Sequence, residues 1–225
     1  MSDTDSFIDE VTEEVRRDRF YASLRRYGWI GALVVVLIVG GAAWTEYRKA
    51  QERATAEALG DQILGALASE EPEARQGQLE TIGADTPGAE ALLAFLAAAQ
   101  ATELGDTAEA ATLLDAVAVN GDVPVMYRQI AAFKSLVLQA ETMDPDTRRQ
   151  QLEGMAVPGA PLSLLAQEQL ALQDIAENNT DAAIDRFQVI LQDAAVSADL
   201  QQRALQVIVA LGGTPDLESV PGLGN

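Results

Sequence analysis

Carboxylate pairs are the side chains in this sequence whose type and spacing could serve catalysis or metal binding. Glu70 and Glu71 are adjacent, and Asp144 and Asp146 flank a proline. Paired carboxylates can exchange protons or bind calcium, but a calcium loop also needs a glycine and further oxygen ligands at fixed positions. Neither pair has them, and in a chain with 35 acidic residues such pairs arise from composition. Both pairs are predicted to lie on solvated helix faces.

The residue types that most enzymes depend on are absent, because the sequence has no histidine and no cysteine. This excludes disulfides, zinc–thiolate sites and histidine-dependent acid–base or metal chemistry. We therefore predict no enzyme activity, no catalytic or metal-binding residue, no cofactor and no small-molecule substrate.

Acidic residues dominate the larger part of the chain. Residues 45–225 contain ten basic and twenty-eight acidic residues, a net charge of −18. A body of this charge repels polyphosphates and anionic surfaces. We predict that it has no nucleic-acid partner.

One apolar run, residues 28–44, contains no charged side chain. As a helix it extends roughly 26 Å, close to the thickness of a hydrocarbon core. Tryptophan side chains mark its two ends, where amphipathic rings settle at the headgroups, and an arginine pair precedes it. We predict a transmembrane helix over residues 27–45 in a lipid bilayer. Its predicted anchoring residues are Arg25, Arg26, Trp29 and Trp44.

Two alternatives to a retained anchor remain open. The run could be the apolar part of a signal peptide that is cleaved after Ala43, although the preceding segment is long and carries seven acidic residues. It could also be the buried helix of a soluble core, although such helices seldom have tryptophans and basic pairs at both ends. The intact mass of the mature protein distinguishes cleavage from retention.

Charge also predicts the orientation of the span. Residues 1–26 form a predicted amphipathic helix with five arginines, whereas only three basic residues follow the span closely. Basic residues near a span favour the cytoplasmic side, and long domains cross largely regardless of their charge. We predict a cytoplasmic N-terminus and an exported C-terminal domain.

Predicted helices and helix-breaking residues alternate along the rest of the chain. Residues 46–84 are predicted to form a helical spacer, residues 85–212 a domain of paired helices, and residues 213–225 a disordered tail. The predicted helices of the domain are 89–104, 107–118, 125–142, 146–156, 162–177, 180–194 and a final, unpaired 197–211. Pairs that recur every 33–40 residues indicate an α-solenoid.

Two of the three pairs resemble the tetratricopeptide repeat (TPR). The turn at Gly105-Asp106 has the motif's small residue, Ala98, before it, and the turn at Asn178-Asn179 has Ala171 in the same place. In the middle pair Arg148 occupies the small position. The predicted fold is therefore all-α: a single transmembrane helix followed by a TPR-like α-solenoid of about three helix pairs with a C-terminal capping helix. An irregular helical bundle is the alternative.

The arrangement as a whole is similar to a known family. The stretches Glu13–Arg19 and Leu24–Gly28 lead into the span, and a spacer and divergent repeats follow, ending near Leu200–Ala204. This resembles the YfgM-like family of ancillary SecYEG translocon subunits in its alphaproteobacterial form. The resemblance implies a bacterial inner-membrane protein with a periplasmic repeat domain. It also implies association with the Sec translocon and with a periplasmic chaperone of the prolyl-isomerase type, and no catalytic residues.

Repeat solenoids bind partners on the concave surface formed by the first helix of each pair. The repeat phase places six large apolar residues there, with Glu103, Glu141 and Glu168 among them. This predicts a groove with an acidic rim that holds a partner helix or an unfolded exported polypeptide. Alternatively, the same side chains are ordinary core or are covered by helix 197–211. The six residues are Leu92, Phe95, Ile130, Phe133, Leu165 and Leu172.

The predicted function is that of a membrane-anchored scaffold or chaperone-like accessory subunit of the Sec translocon at the periplasmic face. The anchor would keep the binding surface at high local concentration near a membrane exit site. The alternative is a structural TPR subunit of another envelope complex, for cell division or respiration, that binds no clients.

Overall fold

The computed structural model describes the backbone of residues 3–217 and, within it, the side chains of Arg25 and of all residues from Trp29 onward except Ala32. All regular secondary structure in this part of the chain is α-helical, so the all-α prediction is confirmed. The chain divides into two compact units, residues 1–61 and residues 62–225.

Nine helices are present between residues 3 and 217. They are α1 (Asp3–Leu67), α2 (Pro72–Glu80), α3 (Pro87–Glu103), α4 (Thr107–Val119), α5 (Val125–Leu138), α6 (Pro145–Met155), α7 (Ser163–Ala176), α8 (Thr180–Gln192) and α9 (Ala198–Ala210). Most lie within two residues of the predicted ranges. The largest correction is at the end of α5, which stops at Leu138 and not at residue 142. Here the amides of Thr142 and Met143 both donate to the carbonyl of Gln139 and close a turn.

Helix α1 contains the predicted span. Among the described residues, one helical stretch, Trp29–Leu67, is long and apolar enough to cross a membrane by length and composition, and none of its most apolar part is buried. Trp29 and Trp44 are about two-thirds exposed, and Val36 is exposed to the same degree. Such exposure disagrees with a core helix of a soluble protein, because apolar helices in soluble cores are covered by neighbours.

The turns inside the two recognisable repeats are built alike. Gly105 and Asn178 both adopt positive φ angles, 83° and 63°, which glycine and asparagine tolerate best. In each turn the following amide, that of Asp106 or Asn179, donates to a carbonyl five residues earlier, at 2.8 Å. These bonds close each first helix so that the second folds back antiparallel to it. The repeat register predicted from the sequence is therefore reproduced in the hydrogen bonds.

Three clusters of buried side chains hold unit 62–225 together. The first joins α3, α4 and α5 around Leu114 and several alanines. The second joins α7, α8 and α9 around Phe187, the largest fully buried side chain. The third, around Leu136, Leu152 and Leu170, joins α5, α6 and α7. Helix α9 packs on α8 and closes the stack, as predicted for a capping helix.

The residues at the three predicted small positions are all buried, but the pairs pack differently. Ala98 and Ala171 are buried, and at these sites a methyl side chain lets the neighbouring helix approach closely. Arg148 is also buried, only 4% exposed, but it lies on α6, the second helix of its pair, whereas Ala98 and Ala171 lie on first helices. Helices α5 and α6 approach each other at few backbone positions, in contrast to α3 with α4 and α7 with α8, because α5 packs mainly on α4 and α6 mainly on α7.

Part of the predicted disordered tail is held against the domain. The side chain of Gln188 on α8 donates to the carbonyl of Thr214 at 2.9 Å and accepts from the amide of Asp216 at 3.2 Å. Gly213 lies so close to α8 and α9 that a β-carbon there would be 3.0 Å from side-chain carbons of Ile184 and Ile208. Residues 218–225 of the predicted tail lie outside the described residues.

Two glycine-to-alanine changes should have opposite effects on stability. Gly77 lies in α2 with open space around the position of a β-carbon, so Gly77→Ala should raise the free energy of unfolding by about 0.5–1 kcal/mol. Gly213→Ala should lower it by about 1 kcal/mol, since the added methyl group forces packed atoms apart. Urea denaturation of the full chain, followed by circular dichroism, measures both. Equal effects of the same sign would contradict the close packing at Gly213.

Candidate functional site

A groove between α3 and α5 is the candidate site. It has a volume of about 400 Å³ and lies where the C-terminal halves of the two helices face each other, with one side of Leu114 from α4 at its base. Its walls are apolar except for Thr102 and Lys134. The lining residues are Ala98, Ala99, Thr102, Leu114, Phe133, Lys134, Val137 and Leu138.

The groove follows from the order of the helices. Helix α4 runs antiparallel to both α3 and α5 because short connections, residues 104–106 and 120–124, join it to them. Helices α3 and α5 therefore run parallel, and α4 packs behind them. The small side chains of Ala98 and Ala99 leave the space between the two helices open. First helices of successive repeats form the concave surface of a solenoid, so this groove lies on the predicted binding surface.

Of the four predicted groove residues of the first two pairs, Phe133 lines the groove and Leu92, Phe95 and Ile130 do not. Leu92 is exposed, at 46% of its full accessibility, and Phe133 lines the groove directly. Phe95 is half-buried and packs against the first cluster, with its ring centroid 6.4 Å from that of Tyr127. Ile130 is half-buried. Phe133 also packs against the third cluster, so both phenylalanines contribute to the core as well as to the surface.

The two predicted groove residues of the third pair lie elsewhere. Leu165 is half-buried against the Phe187 cluster and lines a second cavity, of about 430 Å³, between the loop before α7 and the start of α9. Leu172 is exposed on α7. Neither residue lines the groove between α3 and α5. The six predicted residues are therefore not brought together in one pocket.

Sequence reasoning missed most of the residues that line the groove, among them Lys134 and Leu138 on α5. Lys134 follows the predicted residue Ile130 by four positions and Leu138 follows it by eight, so helical periodicity could have found both. A charged side chain does not contribute to an apolar periodicity, so the pattern of large apolar residues omits Lys134. It is exposed, and its aliphatic stem forms part of the groove wall.

The predicted acidic rim is partly neutralised by arginines. The carboxylate of Glu103 lies 2.7 Å from the guanidinium of Arg75 on α2. The carboxylate of Glu168 accepts two hydrogen bonds from Arg203 on α9, at 2.8 and 3.0 Å. Glu141 is exposed in the turn after α5 and, within the described part of the chain, has no ion-pair partner. Glu141 is thus the rim carboxylate that can still bind a partner's cation.

A polar network beneath the solenoid surface joins α6, α7 and α8. The buried carboxylate of Asp174 lies 2.8 Å from Arg149 and 2.7 Å from Arg186. The guanidinium of the buried Arg148 donates instead to neutral oxygens, the backbone carbonyl of Leu136 and the side-chain carbonyls of Gln169 and Gln173. Burial without a carboxylate partner lowers the pKa of Arg148. The network joins three helices and fixes their relative positions.

Glu177, which pairs with Arg149 at the exposed end of this network, should make the stability of the fold sensitive to acid. Hydrogen bonds from Gln173 and then from Arg149 lower the pKa of Glu177. A carboxylate with a lowered folded-state pKa stabilises the fold above its unfolded pKa and loses that contribution as pH falls through the folded value. We expect the free energy of unfolding to begin to fall as pH drops below about 4.3, and the fall to be shallower in Glu177→Gln. Urea titrations between pH 6 and 3 test this, and unchanged pH dependence in the variant would contradict it.

The two carboxylate pairs noted in the sequence cap a helix or are exposed to solvent. Asp144 begins α6, where its side chain accepts from the amide and the hydroxyl of Thr147, at 2.9 and 2.8 Å, and these bonds lower its pKa. Glu70 and Glu71 are exposed before α2. Among the described residues no group of three or more acidic side chains is arranged to hold a metal ion.

The predicted anchor residues that the structure describes are exposed. These are Arg25, Trp29 and Trp44, and the ring of Trp44 lies 6.4 Å from that of Tyr47, centroid to centroid. The side chain of Arg26 lies outside the described residues.

One family matches the chain, over residues 24–159, and it is described as a tetratricopeptide repeat-like domain. No curated protein and no solved structure matches.

Proposed function

Because the chain belongs to the tetratricopeptide repeat-like domain family, we propose that its helical repeats form a protein-interaction scaffold whose partner segment binds in the groove between α3 and α5. The observation that supports this most directly is the groove itself. It is apolar and open to solvent, and it lies between first helices of successive repeats, within the stretch that matches the family. Folds of this kind are typically non-catalytic and mediate contacts between proteins.

Exposure favours binding over core packing at this surface. Val137, which lines the groove, is 38% exposed although it is a large aliphatic residue on a packed helix. Scattered exposed leucines need no explanation, but apolar side chains that border a cavity lose water when a partner covers them. When a partner covers such side chains, each Å² of buried apolar area contributes about 25 cal/mol of favourable binding free energy, from which the entropic costs of association must be subtracted.

We place the scaffold on a membrane, held by residues 27–45 of α1. A helix long and apolar enough to span a bilayer is present there, and its apolar face is uncovered. The arginine excess before the span favours a cytoplasmic N-terminus. In this topology residues 46–225 lie in the periplasm of a bacterial cell and the span lies in the inner membrane.

The resemblance to the YfgM-like family supplies the specific partners of the proposal. In this proposal the chain is an accessory subunit of the Sec translocon. The groove then binds exported polypeptides or a periplasmic chaperone of the prolyl-isomerase type as they meet at the membrane. The half-burial of Phe95 and Phe133 favours the competing proposal, a structural subunit of another envelope complex, because side chains committed to a core leave a smaller surface for varied clients.

Site-specific photo-crosslinking in intact membranes tests the scaffold proposal. A photoreactive amino acid replaces Val137, which lines the groove, or Val119, which is 81% exposed at the end of α4 and does not line it. Both positions are valines at the C-terminal end of a helix, so the two variants are closely matched. We expect adducts from position 137 and few from position 119.

The identity of the adducts separates the proposals. Translocon subunits, a periplasmic isomerase or many exported chains would support the accessory-subunit role. A single stoichiometric partner from another complex would support the structural role. Equal adducts from positions 137 and 119, or none from either, would contradict partner binding in the groove.

A further inference from the structure

The charges around the groove point to the chemistry of its occupant. We propose that the groove binds an apolar peptide segment that is flanked by basic residues. In the complex, the basic residues of the peptide lie at the C-terminal ends of α3 and α5 and contact Glu141. This inference rests on the proposed function, because it specifies what the groove between α3 and α5 binds. It adds the charge and the placement of the partner's flanking residues.

The first support is the shortage of free cations on unit 62–225. These residues include seven basic and twenty-four acidic side chains. Four of the seven cations, Arg75, Arg149, Arg186 and Arg203, are already paired with carboxylates of the same chain, and Arg148 is buried. Acidic residues of a partner would therefore find few available cations, whereas basic residues would find many unpaired carboxylates.

The second support is the arrangement of charges along the groove. Lys134 is the one charged residue among those that line it. Glu141 follows Leu138 by three residues in the exposed turn after α5, and its carboxylate has no ion-pair partner within the described residues. A partner's basic residue is thus disfavoured beside Lys134 and favoured at Glu141. This order of charges predicts a partner peptide with an apolar centre and a basic flank near Glu141.

The same charges argue against other occupants. A second copy of this chain would bring another strongly acidic surface to the groove, and like charges at an interface oppose association. Anionic lipid is disfavoured for the same reason. An apolar segment without flanking charge would still fill the groove but would leave Glu141 unused.

Three labelled peptides of one design provide the test. They share a twelve-residue leucine–alanine core with leucines at helical spacing and end in two arginines, two glutamines or two glutamates. The full chain is held in phosphatidylcholine nanodiscs at 150 mM salt, where charges more than about 8 Å apart are largely screened. Fluorescence anisotropy gives the dissociation constants, and empty nanodiscs give the blank.

We expect the arginine peptide to bind about fivefold more tightly than the glutamine peptide, and the glutamate peptide to bind most weakly. Glu141→Gln should raise the dissociation constant of the arginine peptide about threefold and leave that of the glutamine peptide unchanged. The matched control is Glu153→Gln, which removes the same charge from an exposed position on α6 away from the groove lining. It should change neither affinity.

The outcomes separate this inference from the proposed function. Equal affinities for the three peptides would overturn the basic flank and leave the groove in place. Equal weakening by Glu141→Gln and Glu153→Gln would overturn the role of Glu141, since net charge alone would then explain the preference. No binding by any of the peptides, or binding equal to that of empty nanodiscs, would overturn the groove and the inference together.

Discussion

Replacement of Asp174 by alanine should be among the most destabilising changes in this protein, lowering the free energy of unfolding by about 3–5 kcal/mol. The carboxylate is only 4% exposed and pairs with two arginines, Arg149 from α6 and Arg186 from α8. Its removal leaves the partly buried Arg186 without its carboxylate partner and leaves Arg149 with Glu177 alone, and a partly buried cation that loses its partner is costly. Urea denaturation followed by circular dichroism measures the loss, and hydrogen exchange should show it first in the amides of α6, α7 and α8.

The matched control is Asp185→Ala on α8. Asp185 is exposed, so the same change there should alter stability by less than about 0.5 kcal/mol. Asp174→Asn keeps the shape and one acceptor oxygen, and it should fall between the two. If Asp174→Ala were no more destabilising than Asp185→Ala, the network would not hold these helices together.

The elements of this fold were accessible to sequence analysis because they depend on local chemistry. Glycine or asparagine at the positive-φ positions 105 and 178 ends the first helix of each recognised repeat, and the apolar spacing beyond fixes the second. The end of α5 was not accessible in this way. Residues 139–142 include good helix formers, and they leave the helix because two successive amides bond to Gln139.

The polar network could not be predicted from the sequence in the same way. Asp174 lies twenty-five residues from Arg149 and twelve from Arg186 in sequence, so their contact depends on how three helices pack. By composition, the carboxylates of so acidic a chain are expected on solvated faces. The sequence did show Arg148 at a position for a small residue, but the three neutral oxygens that accept from it belong to two other helices.

The groove could be predicted from the sequence only in part, less well than the helices and better than the polar network. The repeat phase selects Phe133, which lines the groove, but helical spacing does not distinguish a concave surface from the core, because first helices carry apolar side chains toward both. Leu92 and Val137 are exposed, whereas Phe95 and Phe133 also pack into buried clusters. Serine at either phenylalanine would therefore confuse lost binding with lost stability. Val137 is the better position at which to test the groove.

Val137→Gln should weaken capture of the partner segment about tenfold and leave stability nearly unchanged. A partner that covers the groove would bury the new amide without a hydrogen-bond partner, at a cost of about 1–3 kcal/mol, and 1.4 kcal/mol corresponds to a factor of ten. The substitution adds no charge, so the acidity of the domain does not influence the result. Before binding, the amide is solvated, because Val137 is 38% exposed.

The control for this change is Val119→Gln, which places the same side chain at the exposed C-terminal residue of α4, away from the groove. Both variants are measured for thermal unfolding and for photo-crosslinking yield from position 99 in the groove wall. Loss of adducts in Val137→Gln alone, at an unchanged melting temperature, is the expected result. Equal yields from the two variants would mean that the partner does not cover Val137, and the concave surface would then serve packing between the repeats.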